Sequence, residues 1–350
     1  MAFSTSTAVS VSLKKFLAGC ILVSLGITLS VSGGFWDVTY HLLNRPEAFF
    51  SAPHTVLYAG ISLALVGVLI MFFGRNSIGY GISRPVKTAL VGIGLLVSAG
   101  PIDFGWHSEF GLDGLLSPPH LALISGMMLC SIGSMLGILS YNHKSEEKRN
   151  SFSWKALVII GILPVWMVFS GIIHMLSLPF SDTEYFNFNP DPTFAVILST
   201  IGFPFLVSFF LSMTSSLAKS RFGVLSITGA VFIAITAITG IVPNHSLIST
   251  LPFYVLNIIP ITTSDAILAI YQKRTSKFIV GAILGSSFFT LYYPLITHTF
   301  NEFFSRQPLF PSLVSPTYFG MIANVYPVVV LPAIVMGIGG TIAASKLVKA

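Results

Sequence analysis

Residues 101–120, PIDFGWHSEFGLDGLLSPPH, repeat a pattern that already occurs at residues 35–54, FWDVTYHLLNRPEAFFSAPH. With an offset of 66 residues, each stretch reads Asp-x3-His-x12-His and ends in Ser-x-Pro-His. We call residues 35–54 the first motif and residues 101–120 the second motif. Because both motifs preserve the intervals between the acid and the two histidines, the pattern predicts two copies of one structural unit.

The spacing within each motif predicts a metal site. An Asp and a His four residues apart lie on one face of a helix, so their side chains can reach the same atom. The last histidine follows a proline, which favours the first turn of the next helix. Two imidazoles and one carboxylate that converge from consecutive helices are a common set of metal ligands. The candidate ligands are Asp37, His41 and His54 in the first motif and Asp103, His107 and His120 in the second.

A further acid occupies matched positions in the two connecting loops, Glu47 in the first motif and Asp113 in the second. Such an acid can complete the coordination of a metal or hold a ligand imidazole by a hydrogen bond. It can equally well solvate the loop. The sequence leaves these three roles open.

The composition is that of an integral membrane protein. Of the 350 residues, 53% are hydrophobic and only 9% are charged, whereas about 25% are charged in a typical soluble domain. Apolar stretches near the ~20 residues needed to cross a bilayer predict an all-α polytopic membrane helical bundle with ten transmembrane helices, in a single membrane domain over residues 1–350. The helix pairs 16–73 and 86–141 carry the motifs, and residues 154–345 supply additional helices. The predicted spans are 16–34, 52–73, 86–102, 119–141, 154–175, 192–213, 222–242, 252–271, 278–298 and 316–345.

The distribution of basic residues predicts the topology. With both termini in the cytoplasm, only Arg45 and Arg306 of the 18 lysines and arginines fall outside the cytoplasmic segments, as the positive-inside rule requires. This placement accounts for the net charge of +6 without a nucleic-acid partner, and it leaves the lipid bilayer as the expected partner. Both motifs then lie on the extracytoplasmic side of the cell membrane.

Other chemistry has little support in the sequence. A P-loop, a Gly-rich dinucleotide turn, an H-E-x-x-H zinc motif and a serine nucleophile elbow are all absent from it. Asp265 lies within the eighth predicted span, about two turns before Lys273. We interpret it as an ion-pair partner of Lys273 near the cytoplasmic edge in preference to part of a polar path across the bilayer.

The duplicated Asp-x3-His-x12-His pattern resembles a copper site in the C subunit of the copper membrane monooxygenases, the particulate methane and ammonia monooxygenases. The resemblance covers residues 16–140, and this chain departs from the family in two respects. One family triad opens with Asn, whereas both open with Asp here, and this chain has more helices than the family subunit, with no counterpart for its second half. It implies copper binding by both triads, further membrane subunits as partners, and oxidation of a small apolar substrate with O₂.

Two other functions stay open at this stage. One is a non-catalytic accessory, metal-delivery or transport subunit of a membrane complex. The other is a structural membrane protein whose triads hold zinc in a closed shell completed by Glu47 or Asp113. Iron(II) also suits two histidines and a carboxylate, and copper is favoured by the predicted extracytoplasmic position.

Overall fold

The structure is a computed structural model that describes residues 2–42, 48–74, 83–111, 113–144, 151–178, 185–219, 222–243, 248, 251–271, 274–287 and 326–349. These residues form helices joined by turns and contain no β-strand. The helices are α1 (Ala2–Leu42), α2 (Ala52–Gly74), α3 (Ser83–Phe110), α4 (Pro118–Lys144), α5 (Phe152–Met175), α6 (Pro192–Ala218), α7 (Val224–Ile241), α8 (Leu251–Leu256), α9 (Ile258–Ile270), α10 (Arg274–Ser286) and α11 (Tyr326–Leu347).

The described helices confirm an all-α polytopic membrane bundle. Nine helical segments within the described residues are long and apolar enough to cross a membrane, with α8 and α9 forming one of them, Leu251–Ile270. The predicted span 278–298 begins in α10, whose shorter apolar part is Thr275–Ser286. The remainder of that span lies outside the described residues, so the tenth crossing stays a prediction.

Helix α3 continues well beyond the apolar stretch that predicts it. The predicted span ends at residue 102, whereas the helix passes through Pro101 and ends at Phe110. A proline within a helix removes one backbone hydrogen bond, but neighbouring groups can compensate in membrane helices. The extension matters for function because it keeps Asp103 and His107 on a single helix.

The described contacts divide the chain into two compact units. The first unit holds α2, α3, α4 and most of α1 and α5, and the second holds the remaining helices. The single membrane domain expected from the sequence stays a prediction. The bounds are Met1–Asp37, Pro46–Gly111 and Ser117–Phe169 for the first unit, and Val38–Arg45, Leu112–Leu116 and Ser170–Ala350 for the second.

Within the first unit, the helix pairs α1–α2 and α3–α4 meet at glycines in matching register. A Cβ atom at Gly26 would lie 2.6 Å from the backbone nitrogen of Ala64, and one at Gly92 would lie 2.7 Å from that of Cys130. Both residues of the second contact lie 66 positions after those of the first. Such close approach of two backbones leaves room for glycine alone, as is common between membrane helices.

In the second unit, α11 packs against α6 and α10. Gly285 of α10 faces Gly337 of α11 so closely that a Cβ atom on either would collide with the backbone of the other helix. Ser212 of α6 donates a hydrogen bond to the hydroxyl of Thr341 of α11 at 3.2 Å. Small residues and a buried hydroxyl pair therefore join these helices, as expected where lipid supplies no hydrophobic driving force.

Asp265 of α9 is buried and caps the N-terminus of α7. Its Oδ2 atom accepts hydrogen bonds from the backbone nitrogens of Gly223 at 2.8 Å and Ser226 at 3.0 Å, and from the Ser226 hydroxyl at 2.7 Å. The first N–H groups of a helix have no partner within the helix and favour a negative charge. Lys273 lies outside the described residues, so its ion pair with Asp265 stays a prediction.

Candidate metal centre

The second motif brings three ligand side chains together at the junction of α3 and α4. Asp103 and His107 lie one turn apart near the end of α3. Gly111 then takes a left-handed conformation, with φ of 66°, and its N–H donates to the His107 carbonyl, which ends the helix in the way glycine commonly does. Helix α4 begins at Pro118, so His120 stands in its first turn.

The three ligand atoms form a nearly equilateral triangle. His107 Nε2 lies 3.5 Å from Asp103 Oδ1, His120 Nε2 lies 3.4 Å from the same oxygen, and the two nitrogens are 3.5 Å apart. The centre of such a triangle lies at its side divided by √3 from each corner, which is about 2.0 Å here. Imidazole nitrogens and carboxylate oxygens bind zinc at about 2.0–2.2 Å. The triangle therefore has the size of a metal's coordination sphere.

The hydrogen bond of His107 shows which ring nitrogen faces the triangle with a lone pair. Its Nδ1 atom lies 3.0 Å from the carbonyl oxygen of Gly111. A carbonyl oxygen only accepts, so Nδ1 carries the proton and Nε2 of the neutral ring presents its lone pair. Nδ1 of His120 lies 2.9 Å from the hydroxyl of Ser117, an arrangement that likewise leaves Nε2 directed at Asp103.

Asp103 supplies the negative charge of the site. Its Oδ1 atom is buried and has no hydrogen-bond partner among the described residues. The side chains of Asp103, His107 and His120 are 22%, 8% and 12% exposed. A buried charge without a partner is costly, and an oxygen that faces the Nε2 lone pair of His107 requires a proton or a metal ion between the two atoms. The donor set thus fits a bound cation.

The first motif forms a related, less completely described arrangement. Asp37 Oδ1 lies 3.2 Å from His54 Nε2, and His54 Nδ1 lies 2.9 Å from the carbonyl oxygen of Ala48. The backbone of His41 belongs to α1, one turn after Asp37, whereas its side chain lies outside the described residues. The structure thus brings together two of the three predicted ligands and again directs an imidazole lone pair at a carboxylate.

Of the two loop acids, the described residues include Asp113 and not Glu47. Asp113 is fully buried, and its backbone carbonyl accepts a hydrogen bond from the N–H of Phe188 at 2.7 Å. Among the described residues, the ligand atoms that converge within 4.8 Å of one another belong to Asp103, His107 and His120. Asp113 is not a member of this group, so the described site has three protein ligands.

An aromatic cluster, which the sequence did not reveal, lies between the two motifs in the first unit. The ring centroid of Tyr58 is 5.9 Å from that of His54 and 5.2 Å from that of Phe49, and Phe49 lies 5.1 Å from Phe104. Phe104 directly follows Asp103 in the chain. Within the first unit, these rings connect Phe49 and His54 of the first motif with Phe104 of the second.

The sequence also did not predict the oxygen atoms that hydrogen-bond to the imidazoles. Two of them, in Ala48 and Gly111, are backbone carbonyls, which no residue type reveals. The third belongs to Ser117, and here a signal was present, since Ser117 matches Ser51 in the alignment of the two motifs.

No protein-family model, curated protein or solved structure shows significant similarity to this chain.

Proposed function

We propose that this chain is an integral membrane protein that binds copper at Asp103, His107 and His120, with Asp37, His41 and His54 as a second site of the same kind. One observation carries the proposal, namely the triangle of ligand atoms whose centre lies about 2.0 Å from each of them. Without a cation, the Nε2 lone pair of the neutral His107 ring would face a buried carboxylate oxygen at 3.5 Å. A bound metal converts this repulsion into coordination.

The number of protein ligands favours a reactive site over a structural one. Closed structural sites commonly have four protein ligands, whereas catalytic sites keep a position open. Three ligands in the described residues leave room for O₂ or water on the metal. Copper in such a site would supply electron transfer to O₂, while the chain's own residues hold the metal and limit the access of water.

The resemblance to the C subunit of the copper membrane monooxygenases supports the choice of copper and suggests the reaction. We infer oxidation of a small apolar substrate, which would reach the site from the lipid bilayer, in a complex with other membrane subunits. The partition of lysines and arginines supports an extracytoplasmic position of both motifs in the cell membrane, with both termini in the cytoplasm. The matching glycine contacts of α1–α2 and α3–α4 support descent of the two helix pairs from one unit.

Metal analysis of the purified protein tests the binding. We expect copper in the wild-type protein and a loss of one equivalent in His107→Ala, because an imidazole that leaves the triangle removes one of three protein ligands. His54→Ala should remove the other equivalent. His143→Ala provides the matched control, since His143 is exposed at the far end of α4 from His120. An unchanged copper content in both ligand variants would contradict the proposal. Iron or zinc in the wild-type protein, lost in the same variants, would show that the sites bind that metal and not copper.

Binding of a small anion tests whether the site is open. Azide added to the Cu(II) protein should change its visible and electron paramagnetic resonance spectra, and His107→Ala should lack that change. A wild-type spectrum that stays constant at saturating azide would favour the alternative function, a non-catalytic accessory, metal-delivery or transport subunit. Closed coordination with zinc would favour a structural role.

A further inference from the structure

The loop between α3 and α4 holds both ligand imidazoles of the second motif from its two ends. The carbonyl oxygen of Gly111, at the start of the loop, lies 3.0 Å from His107 Nδ1. The hydroxyl of Ser117, at its end, lies 2.9 Å from His120 Nδ1. Any displacement of the loop must therefore change the orientation of one or both rings. Contacts of this kind typically affect metal affinity by about 10–100-fold when they are lost.

The middle of the same loop is fixed by backbone pairing with Phe188. The N–H of Phe188 donates to the Asp113 carbonyl at 2.7 Å, and the N–H of Leu116 donates to the Phe188 carbonyl at 3.2 Å. Residues 113–116 and Phe188 belong to the second compact unit. The two bonds run in opposite directions from one residue, so the loop is held in a single register, as in a short antiparallel pair.

Gly114 lies between these two bonds, and its conformation makes the pairing possible. Its φ is +101°, which residues with a side chain rarely adopt. A Cβ atom there would lie 2.6 Å from the carbonyl carbon of Phe188 and 2.8 Å from the nitrogen of Asn189. Glycine is therefore required on both conformational and steric grounds.

In the first motif, a different group holds the imidazole of the last histidine. The residue that aligns with Gly114 is Ala48, and its carbonyl holds the imidazole of His54 directly at 2.9 Å. Ser51, which aligns with Ser117, instead accepts the backbone N–H of His54 at 3.3 Å. In the second motif, the loop around Gly114 is paired with Phe188 instead. The hydroxyl of Ser117 contacts the imidazole of His120 in place of a backbone carbonyl.

We propose that the pairing of Gly114 and its neighbours with Phe188 positions the metal centre, by fixing the loop whose ends orient His107 and His120. The inference rests on the proposed copper site. Gly114, Ser117 and Phe188 are positioning residues, since none of them supplies a ligand atom to the triangle. The affinity of the second motif then depends on Phe188, a residue more than 70 positions after Gly114 in the sequence.

Copper affinity measured by competition with a chelator tests this proposal. We expect about 10–100-fold weaker binding at the second site in Gly114→Ala and in Ser117→Ala, with altered Cu(II) hyperfine splitting in both. Because both act on the same loop, the double variant should lose less than the product of the two single losses. Gly105→Ala is the matched control, since Gly105 lies on α3 between Asp103 and His107 and has no atom within 4 Å of its Cβ position.

Phe188 offers a second, independent pair of variants. Phe188→Pro removes the N–H that donates to Asp113, whereas Phe188→Ala keeps both backbone bonds. The proposal expects weakened copper binding in the proline variant and wild-type affinity in the alanine variant. This pair decides the matter if Gly114→Ala does not fold.

Four outcomes distinguish failure of the positioning role from failure of the proposed copper site. Wild-type affinity and spectrum in Gly114→Ala would overturn the positioning role, and so would full multiplication of the two losses in the double variant. Equal affinity of the Phe188→Pro and Phe188→Ala proteins would overturn it as well. A wild-type protein that binds no copper at the second motif would instead overturn the proposed function.

Discussion

Each described ligand imidazole is held by one ring nitrogen and directs the other at a carboxylate. Backbone carbonyls hold His54 and His107, and a serine hydroxyl holds His120. The carbonyl contacts select one tautomer of His54 and of His107 before any metal binds, and all three contacts limit the rotation of the rings. This orientation favours metal binding but destabilises the metal-free protein, because the lone pair of His107 Nε2 then faces the Oδ1 atom of Asp103. We call this destabilisation the cost of the site.

That cost leads to a prediction for Asp103→Asn. An amide can donate a hydrogen bond to an imidazole nitrogen where a carboxylate only accepts, so the metal-free variant should unfold at a temperature no lower than the metal-free wild type. The variant loses the charge that holds the cation, so copper should raise its Tm far less than that of the wild type. Thermal unfolding in detergent, after removal of metal and after its return, measures both effects. An equal copper-induced shift in the two proteins would contradict the role of Asp103.

Asp265 carries a second prediction at this scale. Its carboxylate accepts two backbone N–H groups and one hydroxyl while buried, whereas Asp191 caps α6 through one N–H, that of Phe194, and is exposed. Capping residues contribute about 0.5–2 kcal/mol, and hydrogen bonds to charged groups about 1.5–3 kcal/mol. Asp265→Ala should therefore lower the free energy of unfolding more than Asp191→Ala does. Equal losses of unfolding free energy in the two variants would show that the buried Asp265 stabilises its helix no more than the exposed Asp191 does.

The ligands could be predicted from the sequence because they follow helix geometry. Asp103 and His107 are four residues apart, and His120 follows a proline at a helix start, so each position has a local signal. The carbonyl of Gly111 and the partner Phe188 have none, since one is backbone and the other lies more than 70 positions away. Sequence patterns thus predicted the candidate ligand residues, and they did not predict the groups that orient the imidazoles.

At the scale of elements, the α3–α4 pair depends on close approaches of the two backbones, one of which is at Gly92. Gly92 touches the backbone of α4 at Cys130, while Gly94, on the same helix, has no atom within 4 Å of its Cβ position. The two glycines therefore provide a matched comparison within one helix.

We predict opposite effects of alanine at these glycines. Gly92→Ala should destabilise the protein by forcing α3 and α4 apart, and it should weaken copper binding because the ligands come from both helices. Gly94→Ala should be neutral or stabilising by up to about 1 kcal/mol, since alanine favours the helix. Thermal unfolding and copper affinity measure the difference. A Gly92→Ala protein as stable as wild type would refute the packing argument.

The extent of the helices was less predictable than their existence. Hydropathy ends the third span at residue 102, because the polar residues of the second motif follow, yet α3 runs to Phe110. Polar ligands at a helix end lower the local hydropathy without ending the helix. The functional residues themselves therefore obscured the boundary of the element that carries them.

At the scale of the whole molecule, the charges predict which side of the membrane carries the metal sites. Clusters of lysine and arginine mark the loops that stay in the cytoplasm, and the two motifs fall on the opposite side in that topology. The prediction concerns α5 most directly, because the polar connection from α4 precedes it and the acidic connection to α6, at residues 176–191, follows it. One crossing by Phe152–Met175 must place these connections on opposite sides.

Single cysteines at Asn150 and Ser181 test this topology with a membrane-impermeant thiol reagent. The native Cys20 and Cys130 are fully buried, so their background labelling should be small. In intact cells, we expect the cysteine at position 181 to be labelled and the one at position 150 to be protected, with both labelled after the membrane is opened. Labelling of both in intact cells would mean that α5 does not cross the membrane. The reverse pattern would place the copper sites in the cytoplasm and remove the topological argument for copper over iron.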